Sequence, residues 1–219
     1  MPQPSARRGR PPRISRAEII EAARRIVEED EGVDRLTMRR LAGEVGSTPM
    51  ALYHHVRDKE ELLVLLMDAV AEEAQRRPEL PADPRERVIV LATAIRASLV
   101  ERPWAVELPA ADDLMSVSAL WYSERIVGAL VECGLTTERA VHAYRAIWYY
   151  TVGELTVRTA SARRRERDDR PTYRDRVFTE LDPGELPTLA SLAGRWTELT
   201  ARDTYQDGLR ALVDGLTRG

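Results

Sequence analysis

Residues 37–56, TMRRLAGEVGSTPMALYHHV, spell two short helices joined by a tight turn. Thr37 can cap the first with its hydroxyl, and Leu36 and Leu41 stand at the spacing of a hydrophobic staple. Gly46 supplies the positive φ that the turn needs. Thr48 caps the second helix, and Pro49 takes its first position, where a missing N–H costs nothing. Ala42 is small where the helices cross, while Leu41, Val45 and Leu52 are expected to point inward. Thr48, Pro49, Met50, Ala51, Tyr53 and His54 are then left on the outside of the second helix. Such a helix fits the major groove, where short side chains permit close approach and Thr, Tyr and His reach phosphates or base edges. Arg39, on the helix before it, can meet a guanine edge or a phosphate. A bundle that used these residues only for packing would have to bury Tyr53, His54 and His55 together, and they are poor core material.

Working outward, Ser15 and Glu18 form a capping box ahead of an apolar stripe, Ile19, Ala23, Ile26 and Val27, which Gly32 ends. Asp58 and Glu61 predict a second capping box and a long helix to about Arg77, closed by the proline-rich run 78–84. Helical spacing then predicts helices at about 84–101, 104–110, 113–133, 137–166 and 195–217. Gly134 stops the third of these, Thr136 or Thr137 caps the fourth, and Asp112 and Asp113 read as capping acids. The segment 163–188, which opens RRRERDDR, reads as a mobile loop with a short helix inside. Period-two alternation is absent, so the fold class is all-α. The expected organisation is a disordered basic arm (1–14), a three-helix helix-turn-helix domain (15–60), and a linker helix with a helical C-terminal domain (61–219).

The chain has 219 residues and a net charge of −3, with the charge unevenly spread. Residues 1–14 hold Arg7, Arg8, Arg10 and Arg13 and no acid, 15–60 is nearly balanced, and the remainder is acidic. That distribution suits a protein that touches DNA at one end only. A single cysteine, Cys133, excludes an internal disulfide and any cysteine-based metal cluster. No apolar run approaches a membrane span or a signal sequence, so a cytoplasmic protein with no membrane partner is expected. HExxH, GxSxG, Walker and dinucleotide-turn motifs are all missing, and two of the three histidines lie in the presumptive reading helix. Neither an enzyme, nor a cofactor, nor a metal site is expected.

The stretch TMRRLAGEVGSTPMALYHHVRDKEELL resembles the DNA-binding signature of the tetracycline-repressor (TetR) family, above all in LYHHV followed by a charged turn and Lys59. The likeness is close over about 15–76 and consistent, though weaker, beyond. The resemblance implies that Tyr53, His55 and Lys59 touch the DNA backbone and that Thr48, Pro49, Met50 and Ala51 meet the bases. Pro49 and Met50 offer no side-chain hydrogen bonds, so specificity leans on Arg39, Thr48, His54 and apolar contact with thymine methyls. In the arm, Arg8-Gly9-Arg10-Pro11 resembles the core of an AT-hook, which can lie in a narrow A·T minor groove. A solvated arm that merely attracts phosphates is the other reading of it.

The C-terminal half is richer in aromatics. Trp104, Leu108, Met115, Trp121, Tyr122, Tyr144, Trp148 and Thr151 are the candidate lining of a pocket for a hydrophobic or aromatic small-molecule effector. His142 and Glu154 are further candidate polar anchors. On the last helix Tyr205, Leu209, Leu212, Val213 and Leu216 form a stripe read as a dimer face, with Gly208 and Gly215 permitting close approach. The resemblance implies a homodimer in which the last helix and the long helix before the loop pair with their symmetry mates. The expected function is repression from a partly palindromic operator on double-stranded DNA, relieved by the effector. A DNA-binding regulator without an effector, or an activator, stays open as the alternative.

Overall fold

The computed structural model describes residues 14–29, 32–73, 77–106, 116–167, 170 and 172–218. Arg8 and Arg10 of the arm, Leu108, Met115 and the Asp112-Asp113 pair lie outside these residues. Within them every regular element is helical, and no helix is long and apolar enough to cross a membrane. The described residues divide into two compact units.

The first unit takes residues up to 73 together with 101–106 and 116–120. Helix α1 (Arg16–Glu29) is opened by the expected capping box, with Glu18 N donating to Ser15 Oγ (3.2 Å) and Ser15 N to Glu18 Oε2 (2.8 Å). The Ser15 N–H and hydroxyl, both donated to the Glu18 carboxylate, hold it below its ordinary pKa. Thr37 Oγ1 accepts from Arg40 N at the start of α2 (Met38–Glu44), and Thr48 Oγ1 accepts from Ala51 N at the start of α3 (Pro49–Leu52). Between them Gly46 sits at φ +64°, and the Ser47 N–H reaches back to the Ala42 carbonyl at 2.8 Å. Ile19, Ala22, Ala23, Ile26 and Val27 of α1 are buried, as are Leu36, Leu41, Leu52 and Val56 and, on α4 (Lys59–Glu73), Leu62 and Leu66. Each such leucine contributes roughly 2 kcal/mol of apolar burial. The second capping box forms only in half. Asp58 Oδ1 accepts from Glu61 N (2.8 Å), but the Glu61 carboxylate turns to Arg57 N (2.6 Å) because Arg57 and Arg16 both draw it outward. A short 3-10 turn, Pro103–Val106, also belongs here, where the sequence predicts an α-helix over 104–110.

The second unit takes 77–100 and the chain from 121 onward. It holds α5 (Pro84–Val100), nearly all of α6 (Leu120–Glu132), α7 (Thr137–Arg167), α8 (Tyr173–Thr179), α9 (Pro187–Ala190), α10 (Trp196–Ala201) and α11 (Tyr205–Thr217). Gly134 at φ +99° turns the chain from α6 into α7, and Thr136 Oγ1 caps α7 by accepting from Arg139 N. The expected helix over 113–133 begins only at Leu120. The expected helix over 195–217 is two, because Arg202 is extended (ψ 143°) and Asp203 Oδ1 accepts from Tyr205 N to start α11. Residues 163–188 hold the expected short helix between two helix ends. α7 runs through to Arg167, a capping box at Thr172 and Asp175 starts α8, and α9 follows.

The core of this unit joins Val88, Leu91 and Ala92 of α5, Ile126 and Leu130 of α6, Ala140 and Ile147 of α7, and Tyr205, Leu209 and Val213 of α11. The stripe on the last helix therefore covers its own subunit's core, which corrects its reading as a face left over for a partner. Gly208 is likewise used within the chain, since a Cβ there would stand 2.1 Å from Tyr150 Oη. Tyr150 stacks on Tyr205 with ring centroids 5.4 Å apart and donates to the Tyr205 carbonyl at 3.2 Å, so it cannot simply swing away. Gly208→Ala is expected to destabilise the protein by about 1–3 kcal/mol through overpacking, despite a helix-propensity gain of about 1 kcal/mol. Adding Tyr150→Phe, which removes the nearest atom, should recover part of the loss. Thermal unfolding at one fixed protein concentration measures both, and a more stable single variant would show that the contact does not constrain the helix.

Candidate nucleic-acid interface and aromatic cluster

The first unit presents α3 outward while fastening both its ends. Leu52 is fully buried, and its carbonyl accepts from His55 N (2.8 Å) and Val56 N (3.0 Å). On the free side Met50 is 70% exposed and Tyr53 46%, with Thr48, Pro49 and His54 exposed and Ala51 and His55 half-buried. Arg39 is exposed on α2. Val45, expected inside, is half-buried. Lys59, half-buried, donates weakly to the Val33 carbonyl at 3.4 Å.

The charges of this unit are arranged to leave cations outward. Glu44 pairs with Arg25 (3.2 Å) and Glu61 with Arg16 (2.8 Å) and Arg57 (3.3 Å). The hydrogen bond from Arg57 N, more than any charge, holds the Glu61 carboxyl below its ordinary pKa. Arg35 and Arg39 are exposed and form no ion pair among the described residues. An exposed short helix in a unit whose Arg35 and Arg39 face solvent, and whose Glu44 and Glu61 already have partners, offers donors, apolar contact and positive potential to a phosphate-lined groove.

The aromatic candidates are not all brought together. Trp104 belongs to the first unit, where it is buried and its indole N–H has no partner among the described residues. Trp121, Tyr122, Tyr144 and Trp148 belong to the second. Trp121 meets Tyr122 edge to face at 4.9 Å and lies under the guanidinium groups of Arg125 (4.0 Å) and Arg77 (4.9 Å). Tyr144 Oη is hydrogen-bonded to Ser123 Oγ at 2.9 Å. Trp148 is half-buried and makes no hydrogen bond or ring contact among the described residues. Thr151 is buried with its hydroxyl already engaged, 2.9 Å from the Ile147 carbonyl and 2.8 Å from Tyr205 Oη. His142 is exposed. Glu154 is taken up by Arg96 (3.0 Å) and Arg158.

Two contacts escaped the reading of the sequence. Ser123 beside Tyr144 carries no signal, since serines on helices are common. Asp68 does carry one: it is the only acid within the apolar run 62–71 of α4. It accepts from Ser116 Oγ (2.7 Å) and Ser118 N (3.2 Å), and so binds residues 116–119 to α4.

Comparison with known proteins places both halves. Residues 19–66 match the family model for bacterial regulatory proteins of the tetR family, and residues 77–218 match that for the tetracyclin repressor-like C-terminal domain. The chain is 31% identical over 220 residues to the HTH-type transcriptional repressor DrrR1 of Streptomyces coeruleorubidus, covering 95% of this chain and 79% of that protein. It is 28% identical over 213 residues to the class A tetracycline repressor protein from transposon 1721 of Escherichia coli, covering 91% and 89%. Its fold superposes with a TM-score of 0.76 on the TetR family protein ActR of Streptomyces coelicolor in complex with actinorhodin, at 25% identity over 93% of this chain and 96% of that one. The chain belongs to the TetR family of DNA-binding transcriptional regulators.

Proposed function

We propose that this protein is a cytoplasmic, homodimeric repressor that binds a partly palindromic operator and leaves it when a hydrophobic or aromatic small molecule occupies the second unit. The observation that carries the reading is α3, whose free face exposes Met50, Tyr53 and His54 beside an unpaired Arg39. Thr48 to Ala51 and Arg39 meet base edges, with Met50 against thymine methyls, while Tyr53, His55 and Lys59 hold the sugar-phosphate backbone. Arg8 and Arg10 of the arm follow the adjacent minor groove. Repression is supported by the likeness to DrrR1, and an effector by the likeness to ActR, which was crystallised with actinorhodin. Trp121, Tyr122, Tyr144 and Trp148 are the effector side chains of this reading, and Trp148 has an indole free to meet a ligand. With the α11 stripe spent on its own core, the exposed Tyr149 and Val157 of α7 support that helix as the pairing surface.

Footprinting on DNA upstream of the protein's own gene tests the proposal. Two protected inverted half-sites about one helical turn apart are expected, and a monomer binding one half-site at full affinity would overturn it.

Variants separate positioning from reading. Lys59→Ala should weaken binding to all sequences alike and lower the salt slope by about one. Arg39→Ala should flatten preference at one base pair per half-site, by roughly 1–3 kcal/mol. An unchanged specificity profile removes Arg39 from the reading set.

Trp148→Ala should blunt the effector response while operator affinity without ligand stays within about threefold, as distinct sites require. Gel shifts with and without the effector decide it. Full induction of the variant takes Trp148 out of the pocket.

A further inference from the structure

We propose that a second, separate cleft in the C-terminal unit binds a small, multiply charged anion carrying phosphate or carboxylate groups. The cleft is an open concavity of about 910 Å³ between the end of α7, α8 and residues 193–197, within the range of small-molecule sites. Among the described residues its walls carry Arg164, Arg165, Arg170, Arg174 and Arg176, with Asp175 as the one acid. Among the described residues of this lining, cations outnumber the one carboxylate.

Asp175 is turned to the chain itself. Its carboxylate accepts from Thr172 N at 2.7 Å and from the Thr197 hydroxyl, which lowers its pKa to about 2 and keeps it ionised. Two hydroxyls of the cleft are similarly engaged, since Thr172 Oγ1 accepts from Asp175 N and Thr179 Oγ1 donates to the Arg176 carbonyl, while those of Ser161 and Tyr173 form no hydrogen bond among the described residues. The guanidinium groups carry the charge that a ligand would meet, with Arg176 lying over the Tyr173 ring at 6.0 Å and Arg174 close enough to Asp175 to favour its ionised form. Arg164, Arg165, Arg174 and Arg176 form no ion pair among the described residues.

Elsewhere in this unit arginines face carboxylates: Arg87 meets Glu132, Arg96 meets Glu154 and Asp203, and Arg210 meets Glu86. The chain as a whole has more acids than bases, so the unpaired set around one concavity does not follow from a shortage of partners. Guanidinium groups converging on a concave surface raise the local positive potential, and a multivalent anion relieves their repulsion. Their planar forks suit phosphate and carboxylate oxygens two at a time.

The site is distinct from the aromatic cluster. Ser161, where the cleft begins, lies thirteen residues along α7 from Trp148, about 20 Å at the rise of an α-helix.

Isothermal titration of the full-length protein with inorganic pyrophosphate and, separately, citrate tests the proposal, with ionic strength held constant by sodium chloride. One saturable site per chain, with a Kd below about 1 mM, is expected for at least one of them, and the tighter names phosphate or carboxylate as the preferred group. Arg164→Gln/Arg174→Gln should weaken it by about tenfold or more, as should Arg165→Gln/Arg176→Gln if the first pair fails to fold. Absence of saturable binding by both anions overturns the proposal, as does unchanged affinity in a folded double variant. A double variant that loses self-association while the wild type ignores both anions identifies the cleft as a subunit contact, which also overturns it.

Discussion

A helix of four residues cannot hold its own shape, because nucleating a single turn costs more than its few hydrogen bonds return. The proposed reading element, Pro49–Leu52, is such a helix, and the head is arranged around that constraint. Thr48 caps one end, and Pro49 enters with φ already set. Leu52, fully buried, anchors the other end, and its carbonyl holds the chain beyond it through His55 and Val56. Glu61 then ties the following turn by accepting from Arg57 N while pairing with Arg16 of α1. Met50, Tyr53 and His54 stand free because backbone and anchors have been fixed by other residues.

The second unit solves a different problem, the burial of a phenol at a helix crossing. Tyr205 is 1% exposed, and its hydroxyl would cost several kcal/mol without partners. It lies 2.8 Å from Thr151 Oγ1 and 3.3 Å from the Ala92 carbonyl, so α5, α7 and α11 share one polar point. Arg96 covers the ring at 4.6 Å and carries the network to Glu154 and Asp203. Packing of Tyr150 against Gly208 completes the register. Apolar packing alone permits sliding along a helix, whereas these bonds admit one alignment.

The head was legible because its determinants are local. Caps, a proline at a first turn and a glycine at positive φ act within four residues of where they stand, so spacing alone reveals them. The second unit was legible in its helices and not in their partners. An apolar stripe tells that the face of α11 is buried, and says nothing of whether its own core or another subunit covers it. Thr151 falls on an aromatic face and reads as pocket lining, yet its hydroxyl meets Tyr205, fifty-four residues away. The break before α11 depends on Asp203, whose second partner, Arg96, stands 107 residues earlier. Such pairings exist only after folding. Asp68 is the intermediate case, since an acid in an apolar helix announces that a partner exists without naming Ser116.

That pairing bears on how an effector could act. Residues 101–106 and 116–120 belong to the first unit, while the helices on either side of them, α5 and all but the first residue of α6, belong to the second. The linker helix is therefore not the only covalent connection between the units. The chain passes between them again at 100–101 and at 120–121. Release from an operator by ligand requires roughly 5.5 kcal/mol of difference between the two states to move a 1:99 balance to 99:1. A hydrogen bond to a carboxylate, such as Ser116 to Asp68, contributes about 1.5–3 kcal/mol. The clasp is too weak to be the switch alone, and too strong to be indifferent to it. The remainder has to come from packing that changes with it, and the same connecting segment supplies apolar material in Trp104, Ala105 and Val106, all buried. If the proposed release by a ligand holds, a difference of that size needs more than this one bond.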